Sequence, residues 1–204
     1  MRVIIATGNK NKVREFKEML PDEDVMTMRE AGFEGDIEET GSTFAENAYI
    51  KAKSVWDKTG GMVIADDSGL SIEALGGEPG IYSARYLGES TSYADKNKGI
   101  LERMKNVPKE KRNAMFTCSM CAIMPDGHVL RAEEHMKGII SQEPSGSNGF
   151  GYDPILYLPE FGCTAAELSS EEKNAISHRG KALRALTDSI LIYNTCCHSN
   201  PSRP

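Results

Sequence analysis

Residues 62–70 constrain the fold of this chain most strongly, because a short apolar segment there runs into two adjacent carboxylates and a group of small residues. Its β-branched residues predict a buried strand, and the Asp66, Asp67, Ser68 and Gly69 that follow predict a turn at the end of that strand. In open α/β sheets, ligands bind in the crevice outside the carboxyl ends of the strands. Because alternate strand residues face opposite sides of a sheet, we expect one aspartate to face a cleft. An ordinary turn is the alternative interpretation.

The length and composition of the chain indicate a single globular domain. Of its 204 residues, 39% are hydrophobic and 26% are charged, which is ordinary for such proteins. We expect one domain over residues 1–195 and an unstructured tail over 196–204, where no pattern continues. Cys196, Cys197 and His198 in that tail could bind a metal, but no fourth ligand lies nearby in the sequence.

Charge and hydropathy limit the partners of the protein. A net charge of −6 argues against binding to a nucleic-acid polymer, although it permits a local basic pocket for a small phosphorylated ligand. No apolar run approaches the roughly 20 residues that span a bilayer. The N-terminus enters strand-like sequence without the pattern of a signal peptide, which predicts a cytoplasmic protein.

The N-terminal region predicts a strand at 2–6, a polar loop at 7–12 and a helix at 12–20 that ends before Pro21. Free amides at a helix N-terminus favour anions, and Lys10 and Lys12 add positive charge there. The loop therefore predicts a phosphate site, although it lacks the P-loop pattern. A solvated turn with two surface lysines is the alternative.

A second helix is predicted between Thr43, which forms a capping box with Glu46, and Gly60. A helix packed on a sheet runs antiparallel to the strand that follows it. Its N-terminus should therefore lie near the end of the strand at 62–66, which brings Glu38 and Glu39 towards the two aspartates. Converging carboxylates repel one another unless a cation lies between them, and oxygen ligands suit Mg²⁺. A solvated acidic loop is the alternative.

The remaining segments alternate between helical and strand patterns, which predicts an α/β protein. The Thr164–Glu167 pair predicts another capping box. The predicted segments are a helix at 92–107, a hairpin of strands at 114–124 and 128–140, a strand at 155–158, a helix at 169–175 and a last helix from about 176. Cys118 and Cys121, three apart on a strand, should be small buried residues on opposite faces.

Two later loops carry further candidate binding residues. The glycine-rich loop at 145–154 holds Phe150, which could stack on a planar ring, and Asp153, which could bond to it. His178 and Arg179 lie at the start of the last helix, where their donors could contact an acceptor-rich ligand. The alternatives are aromatic residues buried in the core and a histidine with ordinary surface contacts.

Taken together, these motifs resemble the XTP/dITP pyrophosphatases, also called inosine triphosphate pyrophosphatases. The resemblance covers residues 2 to about 190, and the matching blocks are residues 7–12, 38–41, 44, 46–48, 65–70, 76–77, 79–86, 149–154 and 177–180. It implies an elongated mixed sheet with flanking helices, two lobes around a substrate cleft, and a homodimer. It also implies Mg²⁺-dependent hydrolysis of ITP, dITP and XTP to the monophosphate and pyrophosphate, by attack of an activated water on the α-phosphorus.

The resemblance also implies roles for individual residues. Glu39 and Asp67 would hold the metal, Asp67 would also accept a proton, Ser68 would contact substrate and Phe150 would stack on the base. The phosphates would be held by Thr7, Gly8, Asn9, Lys10, Asn11 and Lys12, and the site would be completed by Gly151, Tyr152, Asp153, Lys173, His178 and Arg179.

Elementary chemistry leaves some of these roles open. A carboxylate that binds Mg²⁺ has a lowered pKa and is a weaker base, so Asp66 is the alternative proton acceptor. Donors from His178 and Arg179 match the 6-oxo group of hypoxanthine or xanthine and would face the 6-amino donors of adenine. Guanine shares that 6-oxo group, so rejection of GTP requires a further feature. The alternative functions are a receiver-type signalling module, in which an Asp pair also holds Mg²⁺, and a triphosphatase for a modified pyrimidine nucleotide.

Overall fold

A computed structural model describes residues 1–198 of the chain. The helices are α1 (Lys10–Met19), α2 (Phe44–Thr59), α3 (Tyr93–Met104), α4 (Ser170–Ile176) and α5 (His178–His198). The strands are β1 (Arg2–Ile5), β2 (Asp24–Thr27), β3 (Met62–Ile72), β4 (Asn113–Ile123), β5 (Val129–Ile140), β6 (Leu156–Leu158) and β7 (Cys163–Thr164). None of the helices over residues 1–198 has the length and apolar character needed to cross a membrane.

Within the described residues, the strands form one seven-stranded sheet in the order β2-β1-β3-β4-β5-β6-β7. The pairs β1–β2 and β1–β3 are parallel, and the pairs from β3 to β7 are antiparallel. Parallel neighbours require crossover connections, which α1 and α2 provide, whereas β4 and β5 are joined by a tight turn. The predicted mixed α/β sheet with flanking helices is confirmed.

The predicted turn after Asp67 is wrong, because β3 continues through the segment to Ile72. Antiparallel pairing with β4 extends from Val63 opposite Ile123 to Ile72 opposite Ala114. The ladder therefore satisfies the backbone groups of the Asp-Asp-Ser-Gly segment, and this pairing overrides its preference for a turn.

Alternation along β3 places two separate apolar cores on opposite faces of the sheet. Met62 and Ile64 pack with residues of α1 and α5, whereas Val63 and Ala65 pack with residues of α2. A third core lies between α3, the far half of β3 and the segment around Ile155. Cys118 and Cys121 are buried on opposite faces, which confirms their predicted role as small core residues.

Two other local predictions differ from the structure. Glu167 accepts a hydrogen bond from the Thr164 backbone, but Thr164 lies in β7 and a turn follows it instead of a helix. The capping box that starts a helix is formed a few residues later, by Ser169 and Glu172 at α4. Helix α5 continues to His198, beyond the predicted domain end at 195, and residues 199–204 of the predicted tail lie outside the described residues.

Candidate active site

Asp66 and Asp67 lie just past the point where β3 loses its parallel neighbour. The pairing of β1 with β3 ends at Ile5 opposite Ile64, and the chain of β1 then leaves the sheet for the loop at 7–9. The two carboxylates therefore lie at the carboxyl end of the parallel part of the sheet, although they are in the middle of their own strand. This is the position at which open α/β sheets form ligand crevices.

Asp66 faces α1 and α5 and is surrounded by cations. Its Oδ2 lies 2.9 Å from Lys12 Nζ and 3.1 Å from Arg179 Nη2, and it also accepts a 2.7 Å bond from Ser68 Oγ. Burial raises the pKa of Asp66, but Lys12, Arg179 and Lys51 outweigh it and hold the pKa well below its ordinary value. Asp66 is therefore a permanent anion that organises the cations around it.

Asp67 faces α2 on the other side of the sheet. Its Oδ1 lies 3.1 Å from Lys51 Nζ, and its Oδ2 accepts a 3.2 Å bond from Asn47 Nδ2. Asn47 and Lys51 are four residues apart in α2, so they project from the same face of the helix. Burial raises the pKa of Asp67 and is only partly opposed by Lys51 and Lys12. The two adjacent aspartates thus have opposite pKa shifts.

Glu39 and Asp67 converge on one point, as the argument from helix direction predicts. Lys51 Nζ lies 2.7 Å from Glu39 Oε1 and 3.1 Å from Asp67 Oδ1. Burial opposes the charge of Lys51, but Asp67, Asp66 and Glu39 outweigh it and raise its pKa. The predicted second carboxylate, Glu38, is exposed.

This donor set fits a magnesium ion. Two carboxylates that approach one cation supply hard oxygen ligands, and Mg²⁺ is commonly held by one or two carboxylates, with water and substrate phosphate completing its shell. Among the side chains described, those of residues 1–196, no group of three or more His, Cys, Asp or Glu is arranged to hold a metal. A metal at Glu39 and Asp67 would therefore depend on substrate and water for its other ligands.

The N-terminus of α1 differs from the predicted set of free amides. The Asn9 side chain caps the helix and accepts bonds from the backbone N–H groups of Asn11 and Lys12 at 2.9 and 3.3 Å. Lys10 and Asn11 are exposed, whereas the Lys12 side chain extends back to Asp66 and is 13% exposed. Positive charge at this end of the cleft therefore comes from Lys12 and not from Lys10.

The loop at 149–153 is held by a single carboxylate. Asp153 Oδ2 accepts bonds from Phe150 N at 2.8 Å and from Lys173 Nζ at 2.6 Å. A Cβ on Gly149 would lie 2.2 Å from the same Oδ2, and its φ of +70° is one that side chains disfavour, so glycine is required there. Burial raises the pKa of Asp153, and Lys173 opposes this effect.

Two cations lie beside the Phe150 ring. Lys173 Nζ is 4.9 Å and Arg179 Cζ is 5.6 Å from the ring centroid. Both cations bond to Glu15 of α1, Lys173 to Oε1 at 3.0 Å and Arg179 to Oε2 at 2.6 Å. Burial raises the pKa of Glu15, but Arg179 and Lys173 outweigh it, and the pKa is lower than normal. Glu15 thereby joins α1 to the residues around the aromatic ring.

His178 is buried beside this group and not on the surface. Its ring stacks on Phe116 at 4.7 Å between centroids with an interplanar angle of 12°. Burial, together with the charges of Arg179 and Lys173, lowers the pKa of His178 well below its ordinary value. Its Nδ1 atom is buried and has no hydrogen-bond partner among residues 1–198, so it is available to a ligand.

These groups line one cleft with a volume of about 310 Å³. Of the residues named from the sequence, those lining it are Thr7, Gly8, Asn9, Lys12, Glu39, Asp67, Ser68, Phe150, Gly151, Tyr152, Asp153, Lys173, His178 and Arg179. Lys10 and Asn11 lie outside this lining. Sequence reasoning missed Lys51, which also lines the cleft, and Glu15, which supports it. The available signal was a charged residue on the otherwise apolar face of a helix, as at Lys51 between Ala48 and Ala52.

Comparisons with known proteins show similarity over most of the chain. A dITP/XTP pyrophosphatase from Bacillus licheniformis is 49% identical over 187 residues, which cover 91% of this chain and 95% of that protein. One from Photorhabdus laumondii is 47% identical over 193 residues, covering 93% and 98%. The structure of the Staphylococcus aureus Ham1 protein matches with a TM-score of 0.83 at 41% identity, covering 93% of this chain and 98% of that one. A HAM1 protein from Coxiella burnetii matches with a TM-score of 0.84 at 41% identity, covering 94% and 98%.

The family model of the Ham1 family matches residues 3–189, a range that contains every residue described above in the cleft. Since the match extends from the first strand into the last helix, and since the solved relatives share the fold, the chain belongs to the Ham1 family.

Proposed function

We propose that the protein is a nucleoside-triphosphate pyrophosphatase that hydrolyses ITP, dITP and XTP to the monophosphate and pyrophosphate. The observation that carries this proposal is the convergence of Glu39 and Asp67 in the same cleft as an aromatic ring flanked by cations. One end of the cleft suits a metal and phosphates, and the other suits a planar, acceptor-rich base. The names of the similar proteins, dITP/XTP pyrophosphatases, support the same substrates.

Glu39 and Asp67 are the residues that would hold Mg²⁺. When bound, the ion would neutralise charge on the phosphates and activate the attacking water. Lys51 donates to both carboxylates and lies close enough to contribute its own positive charge to a triphosphate. Thr7, Gly8, Asn9 and Lys12 line the same cleft and would bind phosphate oxygens, while the exposed Lys10 and Asn11 would contribute at its rim.

Asp67 is a better proton acceptor than Asp66. Asp66 is neutralised by Lys12 and Arg179, which hold its pKa well below normal, and a carboxylate with a very low pKa is a weak base. Asp67 lines the cleft, whereas Asp66 lies outside its lining and is held by Lys12 and Arg179. We therefore assign to the Asp67 carboxylate the role of accepting a proton from the water that attacks the α-phosphorus. Asp66 is assigned the role of holding Lys12, Ser68 and Arg179 in place.

Selection of the base follows from the donors that remain available. Arg179 donates four of its five N–H groups to described residues, namely Glu15, Asp66 and Ser68. The fifth N–H group is left for a ligand. That group, Lys173 and a neutral His178 suit the 6-oxo group of hypoxanthine or xanthine. The 6-amino group of adenine would leave these buried groups unpaired, a loss that supports strong discrimination.

The test is the release of pyrophosphate from ITP, XTP, GTP and dTTP, each with Mg²⁺ and with chelator. We expect rapid, metal-dependent turnover of ITP and XTP, and a loss of about 100-fold or more in kcat for Asp67→Asn. Asp188→Asn, an exposed aspartate on α5, is the matched control. Normal ITP hydrolysis by Asp67→Asn would overturn the catalytic assignment, and a preference for dTTP would favour a pyrimidine triphosphatase.

The wider setting of the enzyme is also part of the proposal. We assign it to the cytoplasm as a homodimer, with residues 1–195 forming one domain of two lobes around the cleft and without a membrane or nucleic-acid polymer as partner. The described cysteines are free thiols, which agrees with a reducing compartment. Sedimentation of the purified protein at several concentrations would test the dimer.

A further inference from the structure

Helix α3 provides two adjacent buried polar side chains, Lys96 and Asn97, that the proposed mechanism does not use. Lys96 is 2% exposed and Asn97 is 6% exposed. A buried ammonium and a buried amide both carry a desolvation cost that hydrogen bonds offset; Lys96 Nζ and Asn97 Nδ2 are bonded, whereas Asn97 Oδ1 has no partner among the described residues. Their partners therefore indicate their role.

Each side chain bonds to the backbone of a different loop of the cleft. Lys96 Nζ donates to the carbonyl of Ala84, and Asn97 Nδ2 donates to the carbonyl of Gly151 at 3.1 Å. Ala84 and Gly151 both line the cleft. Consecutive residues of one helix thus hold the loop at 80–85 and the loop that carries Phe150.

Further contacts tie the same two loops together. Tyr93 of α3 packs edge-on against Tyr152 at 5.3 Å between ring centroids, and Tyr152 donates a 2.7 Å bond to the Ser83 carbonyl. Lys96 Nζ also lies 4.8 Å from the centroid of the Tyr93 ring. The distance between the two loops is therefore held jointly by the bonds from α3 and by the direct bond from Tyr152 to Ser83.

The Phe150–Gly151 segment is consequently held from two directions. Asp153 accepts from the Phe150 N–H, while Asn97 donates to the Gly151 carbonyl. Gly151 has a φ of +70°, and a Cβ placed on it would lie 3.6 Å from the Tyr93 ring. The orientation of the segment therefore depends on α3 as much as on Asp153.

We propose that Lys96 and Asn97 are positioning residues that set the width of the base end of the cleft, and so determine affinity for the purine with little effect on the rate of the chemical step. This inference rests on the proposed function. Neither residue is bonded to Glu39 or Asp67: Asn97 acts through the Gly151 carbonyl next to Phe150, and Lys96 acts through the Ala84 carbonyl of the loop that Tyr152 also holds. Contacts to the base are equally present in the ground state and the transition state, so their loss raises KM and leaves kcat nearly unchanged.

The test compares Lys96→Met and Asn97→Leu with Lys96→Arg, which keeps a donor, and with Lys98→Ala, an exposed residue of the same helix. Loss of one buried hydrogen bond corresponds to about a tenfold rise in KM for ITP. We expect that rise in the first two variants with kcat within about threefold of wild type. Lys96→Arg should recover most of the affinity, and Lys98→Ala should match wild type. Inhibition by pyrophosphate, which would bind at the proposed phosphate and metal residues, should be unchanged in all four.

Hydrogen exchange of the ligand-free protein provides a readout that does not depend on turnover. Amides at 149–153 should exchange at least about threefold faster in Asn97→Leu, and those at 80–86 in Lys96→Met. If wild type fails to hydrolyse ITP while these exchange rates rise, the proposed function is wrong and the positioning role stands. Unchanged KM and exchange in folded variants, or a fall in kcat at constant KM, would overturn the inference. If Asn97→Leu does not fold, Asn97→Ala takes its place in both measurements.

Discussion

Glu15 shows how one buried carboxylate can organise two cations that belong to a distant part of the chain. It is 5% exposed and bonds to Lys173 and Arg179, more than 150 residues away in sequence. Both cations lie beside the Phe150 ring, so Glu15 sets their direction without lining the cleft itself. A buried ion pair adds little to the free energy of folding compared with an apolar pair of similar volume. Removing one partner is nevertheless destabilising, because it leaves an uncompensated charge in the interior.

Replacing Glu15 with Gln should therefore affect both stability and binding. The variant leaves two buried cations with less compensating charge, and we expect a loss of about 3 kcal/mol in the free energy of unfolding. KM for ITP should rise as Lys173 and Arg179 shift. Urea unfolding and steady-state kinetics measure the two effects, with exposed Glu18→Gln on the same helix as control. A stable Glu15→Gln enzyme with normal KM would show that Lys173 and Arg179 do not need this partner.

His178 should make the stability of the protein dependent on pH. Its pKa in the folded state is well below the ordinary value because the ring is buried near Arg179 and Lys173. Between the unfolded pKa of about 6.5 and the lower folded value, only the unfolded state binds the proton. The contribution of His178 to the free energy of unfolding is therefore fully present above about pH 6.5. It decreases as the pH falls below that value, by up to about 1.4 kcal/mol per pH unit. In His178→Asn, unfolding followed between pH 7 and 5 should lack this component; identical slopes would show that folding does not change the pKa of His178.

At this scale, the sequence reveals residue types but not their partners. Lys12, Asp153 and Arg179 were predicted near the substrate because they belong to recognisable loops. Glu15 lies inside an otherwise ordinary helix pattern, and its partners in α4 and α5 become visible only when the helices are packed together. Long-range ion pairs of this kind leave no local signal.

At the scale of elements, both ends of α2 were predicted to the residue, whereas the C-terminal end of β3 was not. Helix α2 begins at a capping box and ends at a glycine, so both boundaries are encoded locally. The second half of β3 contains Asp, Ser and Gly, which locally favour a turn. It remains a strand because β4, 40 to 60 residues later, supplies a complete ladder. Boundaries that depend on a distant partner are the ones that local patterns miss.

Gly69 marks the place where this extended strand is most tightly packed. A Cβ there would lie 2.3 Å from the Gly80 carbonyl oxygen and 2.5 Å from Ser83 Oγ. Gly69→Ala should therefore lower the free energy of unfolding by about 2 kcal/mol or more, because backbone must move. Gly8→Ala is the matched control, since a Cβ at Gly8 meets only the Met28 Cε, at 3.9 Å. Denaturant unfolding of the two variants checks this; equal stabilities would mean that the 80–83 segment yields without cost.

At the scale of the whole molecule, the cleft depends on β3, the strand at which the parallel half of the sheet meets the antiparallel half. Asp66 and Asp67 project to opposite faces of β3, so one strand supplies both the anion that organises Lys12 and Arg179 and the carboxylate that pairs with Lys51. The predicted approach of Glu39 to Asp67 followed from helix direction alone. The cation between them was missed, although its position on the apolar face of α2 between Ala48 and Ala52 was a signal for it.

That cation leads to a prediction about metal removal. When no Mg²⁺ is bound, Lys51 bridges Glu39 and Asp67, and Arg85 lies 3.9 Å from Glu39; these two cations offset the two carboxylates, so the metal-free protein should remain folded. We expect chelator to abolish ITP hydrolysis while changing Tm by less than about 2 °C. In Lys51→Met the two carboxylates would repel each other without a metal, so Mg²⁺ should then raise Tm in proportion to its binding. Thermal unfolding of both proteins with Mg²⁺ and with chelator distinguishes the cases. Unfolding of the wild type by chelator would mean that the metal, and not Lys51, holds these carboxylates together.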